Sequence, residues 1–354
     1  MIMFKKKTQK ATFKKDSVFL HHTGNMFGIG CSVFSEKAIE RIDSLKQRKD
    51  KKGYIILFPE IEWLEKYRIQ ISPKIKRLMQ QYLPGNLTIV LDDPENNFPL
   101  VSDQKKIAIR IPSSKFLRDF IKKINVPIIS TSVNFSGEEA LNDLEQIRAE
   151  KGKWFDLEVL SGKKRYDYSK PSTIINYQEN KLICLREGSI KFGQIKKSFE
   201  SPLILFVCTG NICRSPMAEY YLKKLIAAKK MKYRAASAGF LNSDVRISPH
   251  SFEVLKNDDI DASQHISTHI TKELISDSWL ILTMTEQHKR SILEFVPNSF
   301  NKVFTLSEYC GKKFCLLSCD IDDPIGMEIY FYRETYKMIK ERIEILVEKL
   351  EDYS

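Results

Sequence analysis

The spacing of apolar and polar positions predicts two α/β domains. Between residues 18 and 190, short apolar runs alternate with segments whose apolar residues recur every three or four positions, as strands alternate with helices. Further along, residues 203–207 form a continuous apolar run, which is typical of a parallel strand covered on both faces. We therefore expect a twisted-sheet α/β domain at 18–198, a doubly wound parallel-sheet domain at 199–354, and a lysine-rich arm at 1–17.

Capping residues and amphipathic segments place the helices of the front domain. Ser35 precedes one such segment, and Ser72-Pro73 precedes a second that ends at Pro84-Gly85. A third helix is predicted over residues 114–124. The remaining apolar runs predict five strands, at residues 54–58, 87–91, 106–111, 126–131 and 173–177.

Two further segments complete the pattern. Residues 191–201 contain one Gly, three Lys and few apolar residues, so we predict a linker or a domain-edge segment there, with the domain boundary near residue 198. Residues 327–350 predict a long amphipathic helix whose apolar face packs on the rear sheet rather than on a partner. That face comprises Tyr332, Tyr336, Ile339, Ile343 and Leu346.

The positive charge of the chain is confined to its front half. The net charge is +12, with 37 Lys and Arg against 24 Asp and Glu in residues 1–200, and 20 against 21 in residues 201–354. Such an excess gives sequence-independent affinity for a nucleic-acid backbone, but a solubility charge explains it equally well. The arm at 1–17 is open to the same two interpretations, of which a solvated tail is favoured over a nucleic-acid contact.

Cysteine usage and hydropathy favour the cytoplasm. The seven Cys are irregularly spaced, which argues for a reducing compartment rather than a disulfide framework, and Cys310, Cys315 and Cys319 are interpreted as structural. No apolar run approaches the ~20 residues of a membrane span, and the N-terminus lacks the apolar segment of a signal peptide. We expect a cytoplasmic protein with no membrane partner.

The stretch LILFVCTGNICRSPMAE, residues 203–219, carries the strongest chemical signal. It predicts a strand, a tight loop from Cys208 to Arg214, and a helix with Ser215 as N-cap and Pro216 in its first turn. Loop N–H groups and the helix dipole would form an anion site, which also favours the thiolate of Cys208. The pattern indicates phosphate chemistry with a cysteine nucleophile rather than a buried structural cysteine.

The other residues of this loop fit the same chemistry. Arg214 can hold two phosphate oxygens with its planar fork, and Ser215 can donate a hydrogen bond to the sulfur. Gly210 and Asn211 tolerate the left-handed backbone that a tight loop demands. Around the catalytic pair Cys208 and Arg214, the predicted phosphate loop comprises Thr209, Gly210, Asn211, Ile212, Cys213 and Ser215.

This stretch resembles the low-molecular-weight protein tyrosine phosphatase family, whose signature has Cys, Gly-Asn and Cys-Arg-Ser in this order. Asp322-Asp323-Pro324 follows in the family's order, and the resemblance implies that Asp323 is the general acid for the leaving oxygen. It implies a phosphocysteine intermediate without metal or cofactor, and a phosphorylated protein or small phosphomonoester as substrate. Ile212 matches phosphotyrosine-directed members, whereas Thr stands there in phosphoarginine-directed ones; Ile325-Gly326 replaces the usual paired aromatics.

Some polar residues of the rear domain leave alternatives open. Cys213 either forms a reversible, protective disulfide with Cys208 or is a small buried residue at the helix start. Asp320 and Asp322 are interpreted as solvated or turn-forming residues. Related arsenate reductases relay an oxidised thiol through further cysteines, but residues 218–309 contain none, which argues against that reaction.

Short polar clusters punctuate the front domain, among them Lys46-Gln47-Arg48 and residues 130–134. Their order and spacing resemble the YrdC-type threonylcarbamoyl-AMP synthase family, which uses ATP, bicarbonate and L-threonine to make an intermediate for transfer RNA modification. The resemblance implies that Lys46 and Arg48 hold the phosphates of ATP, which binds with Mg, and that Arg110 pairs with the threonine carboxylate. The other residues implied to bind threonine or nucleotide are Thr23, Ser130, Ser132, Asn134, Ser172 and Arg186.

The mouth of this front site departs from the family pattern. Where the family reads Pro-Thr-acid-Thr-x-Tyr-Gly, residues 22–28 read His-Thr-Gly-Asn-Met-Phe-Gly, so an acid, a hydroxyl and a phenol are replaced. Two functions stay open for the front domain. It is either an active L-threonylcarbamoyladenylate synthase or a module that binds only nucleotide or RNA, such as double-stranded RNA recognised by its shape.

Overall fold

The computed structural model describes residues 4–5, 10–11, 13–48, 53–162, 168, 170–241, 244–315 and 318–351. Much of the predicted arm at 1–17 lies outside these residues. The chain divides into two compact units, Met1–Ile71 with Tyr82–Phe192 and Ser72–Gln81 with Gly193–Ser354. No helix in the described ranges is long and apolar enough to span a membrane.

Strands and helices alternate along the described chain. The strands are β1 (Phe4–Lys5), β2 (Lys10–Ala11), β3 (Phe19–His22), β4 (Phe27–Gly30), β5 (Ile55–Leu57), β6 (Leu87–Asp92), β7 (Lys106–Arg110), β8 (Ile128–Ser132), β9 (Leu157–Val159), β10 (Thr173–Gln178), β11 (Lys181–Arg186), β12 (Leu203–Cys208), β13 (Arg234–Gly239), β14 (Ser278–Thr283) and β15 (Val303–Thr305). The α-helices are α1 (Glu36–Lys46), α2 (Trp63–Lys66), α3 (Pro73–Tyr82), α4 (Lys115–Ile124), α5 (Leu144–Lys151), α6 (Phe192–Glu200), α7 (Arg214–Ala228), α8 (Pro249–Lys256), α9 (Lys272–Asp277), α10 (Glu286–Phe295), α11 (Leu306–Cys310) and α12 (Ile329–Glu351). Two short 3₁₀ helices lie at Pro297–Ser299 and Lys312–Cys315.

The first unit contains a mixed sheet of nine strands in the order β11-β10-β6-β7-β5-β8-β4-β3-β9. The three helices predicted in the front half are confirmed as α1, α3 and α4, and the side chains of Ser35 and Ser114 cap α1 and α4. The five predicted strands are confirmed as β5, β6, β7, β8 and β10. Within the arm, β1 and β2 form a short antiparallel pair.

The apolar pattern fails to predict β3 and β4, because histidines and glycines interrupt it. The two strands pair in antiparallel register, with Phe19 opposite Gly30 and His22 opposite Phe27. His21 is wholly buried, and a Cβ at Gly28 would lie 2.9 Å from its Cε1 atom. Glycine is therefore required where the next strand passes a core imidazole. The strands β9 and β11 were likewise not predicted.

The second unit contains a sheet of four parallel strands in the order β13-β12-β14-β15. Along β12, Phe206 packs in a cluster with residues of α7 and α12, whereas Leu205 and Val207 pack in another with residues of α9 and α10. Helices therefore cover both faces, and the predicted doubly wound α/β architecture is confirmed. The long C-terminal helix is confirmed as α12, with all five residues of its predicted apolar face buried.

Of the two possibilities for residues 191–201, a linker is wrong, because most of the segment forms α6. A domain-edge segment agrees with the structure, because the boundary between the two units lies after Phe192. The helix buries Ile195, Ser198 and Phe199, and its apolar residues recur at helical spacing. Lysine and glycine content concealed that spacing when the segment was judged by composition. The boundary predicted at residue 198 falls inside α6, and residues Ser72–Gln81, which form most of α3, group with the second unit.

One disulfide is present among the described residues, and the sequence analysis did not predict it, since it interpreted both cysteines as structural residues outside a disulfide framework. Cys315 and Cys319 are bonded, and their Cα atoms lie 4.3 Å apart. Cys315 is the last residue of a short 3₁₀ helix. Cys31, Cys184, Cys208, Cys213 and Cys310 are free thiols.

Candidate functional site

The loop between β12 and α7 lies where the order of the parallel strands reverses. Strand β12 has β13 on one side and β14 on the other, so the loops that follow these strands diverge at the carboxyl end of β12. The crevice at such a point is the usual ligand site of an open α/β sheet. Cys208 is the last residue of β12, and α7 begins at Arg214, only six residues later.

Ser215 does not cap α7, contrary to the sequence prediction. The helix begins two residues earlier than predicted, and Cys213 occupies the N-cap position without a side-chain capping bond. Ser215 is wholly buried, with its Oγ atom 3.0 Å from Cys208 Sγ. Asn211 Nδ2 donates to the same hydroxyl at 2.9 Å, so the hydroxyl proton is available to the sulfur. The predicted contact between Ser215 and the sulfur is therefore present.

Asn211 is the residue of this loop with left-handed backbone, at φ 55°, whereas Gly210 does not have positive φ. Its side chain ties the loop to its surroundings: Oδ1 accepts from the Thr268 N–H at 2.7 Å, and Nδ2 also donates to Ser237 Oγ at 2.7 Å. Ser237 in turn donates to the buried carboxylate of Glu219. A continuous hydrogen-bonded network from Asn211 to Glu219 thus fixes the conformation of the loop.

The sequence analysis did not identify Ser237 and Glu219 as part of the site. Glu219 lies four residues after Ser215 on α7, so the two side chains share one helical face. A buried acid at that spacing was the available signal. Ser237 is brought to the loop by the parallel pairing of β12 with β13.

Arg214 is almost wholly buried, and its guanidinium contacts three parts of the site. Nη1 donates to the Ile321 carbonyl at 2.9 Å, while Nη2 contacts Thr209 Oγ1 at 3.4 Å and donates to the Asp323 carboxylate. Nε is buried and has no hydrogen-bond partner among the described residues. The structure therefore brings Cys208, Arg214 and Asp323 together at one place.

The neighbouring acids have different surroundings. Asp320 Oδ1 accepts from the Glu286 N–H at 2.7 Å, at the first residue of α10, which agrees with a local structural role. Asp322 is exposed, as expected for a solvated residue. Of the three aspartates, Asp323 alone is hydrogen-bonded to Arg214 in the described structure.

His288 is a further residue of the site that was not predicted as functional. Its Nε2 lies 3.0 Å from Thr209 Oγ1, and its Nδ1 lies 2.8 Å from Thr285 Oγ1. Burial, with the nearby charge of Arg214, lowers the pKa of His288 to about 4. The imidazole is therefore neutral near pH 7, and it positions the Thr209 hydroxyl without adding charge.

Cys213 is a buried free thiol, which agrees with the simpler of its two interpretations. Its Sγ lies 3.4 Å from Ser248 Oγ and 3.7 Å from Tyr332 Oη. Burial raises the pKa of Cys213. A protonated thiol is a poor nucleophile, so the reduced protein gives this cysteine a packing role.

Aliphatic side chains lie around the mouth of the loop. A Cβ at Gly210 would lie 3.5 Å from Ile212 Cγ1 and 3.9 Å from Leu241 Cδ1, so both side chains flank that glycine. Ile325 follows the acid and donates its N–H to Asp323 Oδ1 at 3.3 Å. Leu241 and Ile325 are 55% and 52% exposed, so uncharged groups border the loop and the acid.

The first unit contains a second candidate site, a cavity of about 730 Å³. It is lined by every front-domain residue that the sequence analysis singled out: Thr23, Lys46, Arg48, Arg110, Ser130, Ser132, Asn134, Ser172 and Arg186. They come from the strands β7, β8 and β11, from α1, and from the loops that adjoin these elements, β3 and β10. The fold of the first unit thus gathers side chains that are spread over more than 160 positions of the sequence.

The amino group of Lys46 is fully occupied by oxygens of its own chain. Nζ donates to the carbonyls of Ser132 and Asn134 at 2.7 Å each, and to Asn134 Oδ1 at 3.0 Å. Burial, with the charge of Arg48, lowers the pKa of Lys46 to about 8. Arg48 lies 4.2 Å above the ring of Tyr54 and 3.8 Å from Asp43. An ammonium has three N–H donors, so Lys46 would have to release one to bind a phosphate.

Arg110 is also engaged within the protein. Nε donates to the Gly85 carbonyl at 2.8 Å, and Nη2 donates to Asn25 Oδ1 and Asn86 Oδ1 at 2.7 Å each. Asn25 Oδ1 also accepts from Thr23 Oγ1 at 2.9 Å, so this amide links two predicted ligand-binding residues. Asn25 lies in the altered segment 22–28, and the sequence analysis did not assign it a role.

Arg186 completes the cationic wall of the cavity. Its Nε and Nη2 donate to the Ser172 carbonyl at 3.2 and 2.9 Å, and Nη2 also donates to Ser172 Oγ at 3.2 Å. Burial lowers the pKa of Arg186, and burial with the charge of Arg186 lowers that of Arg110 to about 10. The acceptors of Lys46, Arg110 and Arg186 named above are neutral, which leaves an excess of positive charge for an anionic ligand.

Comparison with protein families matches the front and the rear of the chain to two different families. Residues 203–353 match the family described as low molecular weight phosphotyrosine protein phosphatase. Residues 11–188 match the family described as telomere recombination, which groups the Sua5, YciO and YrdC proteins.

Individual relatives match one half of the chain each. A protein-arginine-phosphatase of Bacillus subtilis is 37% identical over 148 residues, which are 42% of this chain and 95% of that protein. A low molecular weight protein-tyrosine-phosphatase of Staphylococcus haemolyticus is 35% identical over 136 residues, 38% of this chain and 91% of that protein. A putative threonylcarbamoyl-AMP synthase of Methanocaldococcus jannaschii is 32% identical over 175 residues, 49% of this chain and 81% of that protein.

Proposed function

The chain belongs to the low molecular weight phosphotyrosine protein phosphatase family through residues 203–353 and to the Sua5/YciO/YrdC family through residues 11–188, and from this premise we propose that its cysteine-dependent phosphatase acts on phosphotyrosine. The observation that carries the proposal is the convergence of Cys208, Arg214 and Asp323 at the carboxyl end of β12. The unpartnered, buried Nε–H of Arg214 supports an anion site at this point.

The reaction has two steps. The sulfur of Cys208 attacks phosphorus, the bond to the leaving oxygen breaks, and Asp323 donates its proton to that oxygen. Water then attacks the phosphocysteine with Asp323 as the base, which releases phosphate and restores the thiolate. Arg214 and the loop N–H groups stabilise the equatorial oxygens in both steps, and Ser215 donates to the sulfur as it leaves.

The mouth of the site supports an aryl phosphate over a phosphoarginine. Ile212, Leu241 and Ile325 present aliphatic surface next to the loop and the acid. A phenyl ring is stabilised by such surface, whereas a guanidinium needs polar partners to replace its hydration. We therefore expect a higher kcat/KM on a phosphotyrosine peptide than on the matching phosphoarginine peptide, and Ile212→Thr should reduce that preference.

Replacement of the nucleophile tests the proposal directly. Cys208→Ser should abolish hydrolysis of p-nitrophenyl phosphate and of phosphotyrosine peptide, with an unchanged circular dichroism spectrum. Cys184→Ser, which alters a half-buried free thiol of the first unit, is the matched control and should retain activity. Turnover by Cys208→Ser at the control rate would refute the mechanism.

A second activity is a candidate for the first unit, namely synthesis of L-threonylcarbamoyladenylate from ATP, bicarbonate and L-threonine for transfer RNA modification. The supporting observation is that all nine predicted ligand residues line one cavity with cationic walls. The rival proposal is binding of nucleotide or RNA without this reaction, which the internal bonds of Lys46 and Arg110 favour.

Release of pyrophosphate distinguishes the two candidates for the first unit. The full chain is given ATP, Mg²⁺, bicarbonate and L-threonine, and the control omits threonine. Threonine-dependent release would establish the synthase. ATP binding with no release, in a sample that hydrolyses aryl phosphate, would favour a binding module. Absence of both ATP and RNA binding at low salt would remove both candidates.

A further inference from the structure

The contact between Arg214 and Asp323 has a consequence for the way an anion enters the site. The planar edge of a guanidinium formed by Nε–H and one Nη–H matches two oxygens of a tetrahedral oxyanion. In Arg214, Nη1 is turned to the Ile321 carbonyl, so the edge left for a ligand consists of Nε and Nη2. Asp323 and Thr209 occupy the donors of Nη2, while Nε is unpartnered among the described residues. Half of the anion-binding edge is therefore filled by the acid itself.

Electrostatic attraction accounts for the contact of the Asp323 carboxylate with Arg214. The side chain of Arg214 is 4% exposed, and a buried cation without a counter-ion is strongly destabilising. Of the charged groups near it, Asp323 makes the direct contact, whereas Asp320 bonds to α10 and Asp322 is exposed. Asp323 thus neutralises Arg214 while the loop holds no anion.

We propose that Asp323 closes the empty site as an ion pair with Arg214, and that an incoming divalent oxyanion displaces its carboxylate, which then takes up one proton from solvent. This proposal rests on the assignment of the loop as a phosphate site. In this exchange the dianion replaces the Asp323 carboxylate as the acceptor of Arg214 Nη2. The displaced carboxylate then lies beside the two negative charges of the anion, and it binds a proton to become a neutral acid. Entry of the ligand would thereby produce the protonated acid that cleavage needs.

The segment around Asp323 permits this exchange. Ile321 is held on both sides, since its N–H donates to the Met284 carbonyl at 2.8 Å and its carbonyl accepts from Arg214. Beyond it the chain is more open: the Asp323 side chain is 33% exposed, and Gly326 has φ 76° in the turn that follows. Rotation of the carboxylate toward solvent therefore leaves the anchor at Ile321 in place.

The other titratable groups around the pair do not account for such a proton. His288, on α10, has its pKa lowered to about 4 by burial and by Arg214, so it stays neutral above pH 5. Burial raises the pKa values of Cys213, at the start of α7, and of Tyr332, on α12, so both are already protonated. Asp320 keeps its bond to α10, and Asp322 is exposed. Cys208 is the remaining titratable group beside the pair, and the substitution Cys208→Ser removes its contribution to proton uptake.

Sulfate is the suitable probe, because it stays a dianion across the working pH range and cannot supply the proton. Isothermal titration of sulfate into the full chain carrying Cys208→Ser, at about pH 6 in two buffers of different ionisation enthalpy, gives the affinity and the proton uptake together. The test variant adds Asp323→Asn, and the control variant adds Asp322→Asn, which alters the exposed neighbour by the same atoms.

The expected result is uptake of about one proton per sulfate by Cys208→Ser and by the Asp322→Asn control, and no uptake by the Asp323→Asn variant. The Asp323→Asn variant should also bind sulfate about tenfold more tightly, because no carboxylate competes for Arg214. Equal affinity and equal proton uptake in the two double variants would overturn the displacement while leaving the phosphate site intact. Failure of all three proteins to bind sulfate would overturn the phosphate site and the displacement together.

Discussion

The two candidate sites of this chain both contain buried cations, but these cations are bonded differently. In the first unit, Lys46 Nζ and the Nε and Nη2 atoms of Arg110 donate to carbonyl and amide oxygens of the protein. In the second unit, Arg214 has a buried Nε–H without a partner among the described residues, and its Nη2 donates to the Asp323 carboxylate. A ligand that binds these donors of the first site must compete with internal bonds, whereas a ligand of the second site can supply a missing one. The positive charge of a site therefore does not show whether its N–H donors are available to an anion or already bonded within the protein.

The largest expected effect is that of Arg214→Lys. An ammonium cannot bond the Ile321 carbonyl and still offer a planar pair of donors to the phosphoryl oxygens. We expect kcat/KM for p-nitrophenyl phosphate to fall about 10³-fold, equivalent to about 4 kcal/mol. Arg234→Lys, in the neighbouring strand β13, is the control and should retain activity. A fall in kcat/KM of less than tenfold would show that catalysis in the second unit does not depend on the planar guanidinium of Arg214.

A smaller effect that depends on the leaving group is expected for Asp323→Ala. The variant lacks the acid but keeps the nucleophile and Arg214, so the loss should be about 10²-fold for phenyl phosphate and much less for p-nitrophenyl phosphate. The check is the slope of log kcat against the pKa of the leaving phenol, which should steepen in the variant. An equal loss with every phenol would contradict the role of Asp323 as the acid.

In the first unit, the corresponding substitution of a buried arginine, Arg110→Lys, should lower the free energy of unfolding. Arg110→Lys removes donors from the acceptors at Gly85, Asn25 and Asn86, of which Asn25 is buried and the other two are half-buried. We expect the free energy of unfolding to fall by about 2 kcal/mol, measured in urea by the fluorescence or far-UV signal of the first unit. Arg68→Lys at an exposed position is the control. An unchanged midpoint would mean that the internal bonds of Arg110 contribute little, and the contrast between the two sites would weaken.

An effect of similar size, but only at acid pH, is expected at His21, whose contribution to stability should depend on pH. Burial, with the nearby charges of His22 and Arg110, lowers the pKa of His21 to about 3, and neither ring nitrogen has a hydrogen-bond partner in the described structure. The unfolded chain therefore binds the proton first: the contribution of His21 to stability is complete above about pH 6.5 and is lost as the pH falls toward 3. The loss at pH 5 should be about 2 kcal/mol.

His21→Leu should remove that dependence, so that the melting temperatures of the variant at pH 7 and pH 5 lie closer together than those of the parent. The same substitution at His250, whose side chain is 44% exposed, is the control. If both variants keep the pH dependence of the parent, the acid sensitivity arises elsewhere, and His21 is not a neutral core residue.

Prediction from sequence succeeded where the residues of a feature are near neighbours in the chain. Cys208, Asn211, Arg214 and Ser215 lie within eight positions, and a strand followed by a helix leaves them few arrangements. The continuous apolar run of β12 could also be interpreted, because a strand buried on both faces is apolar at every position. The apolar stripe of α12 could be interpreted because burial on one face of a helix imposes a fixed period. Errors occurred where composition replaced periodicity, as in α6, or where polar residues interrupt a buried strand, as in β3 and β4.

The sequence by itself determined the α/β class of both units, the chemistry of the phosphate loop, and which front residues are candidates for a ligand. Only the tertiary structure decided how these groups are engaged. Asp323 reaches Arg214 across 109 positions, and Asn25 reaches Arg110 across 85, so both contacts depend on how distant segments of each unit pack together. Periodicity reports the face on which a residue is buried. The partner that its polar atoms find there is fixed only when distant segments meet.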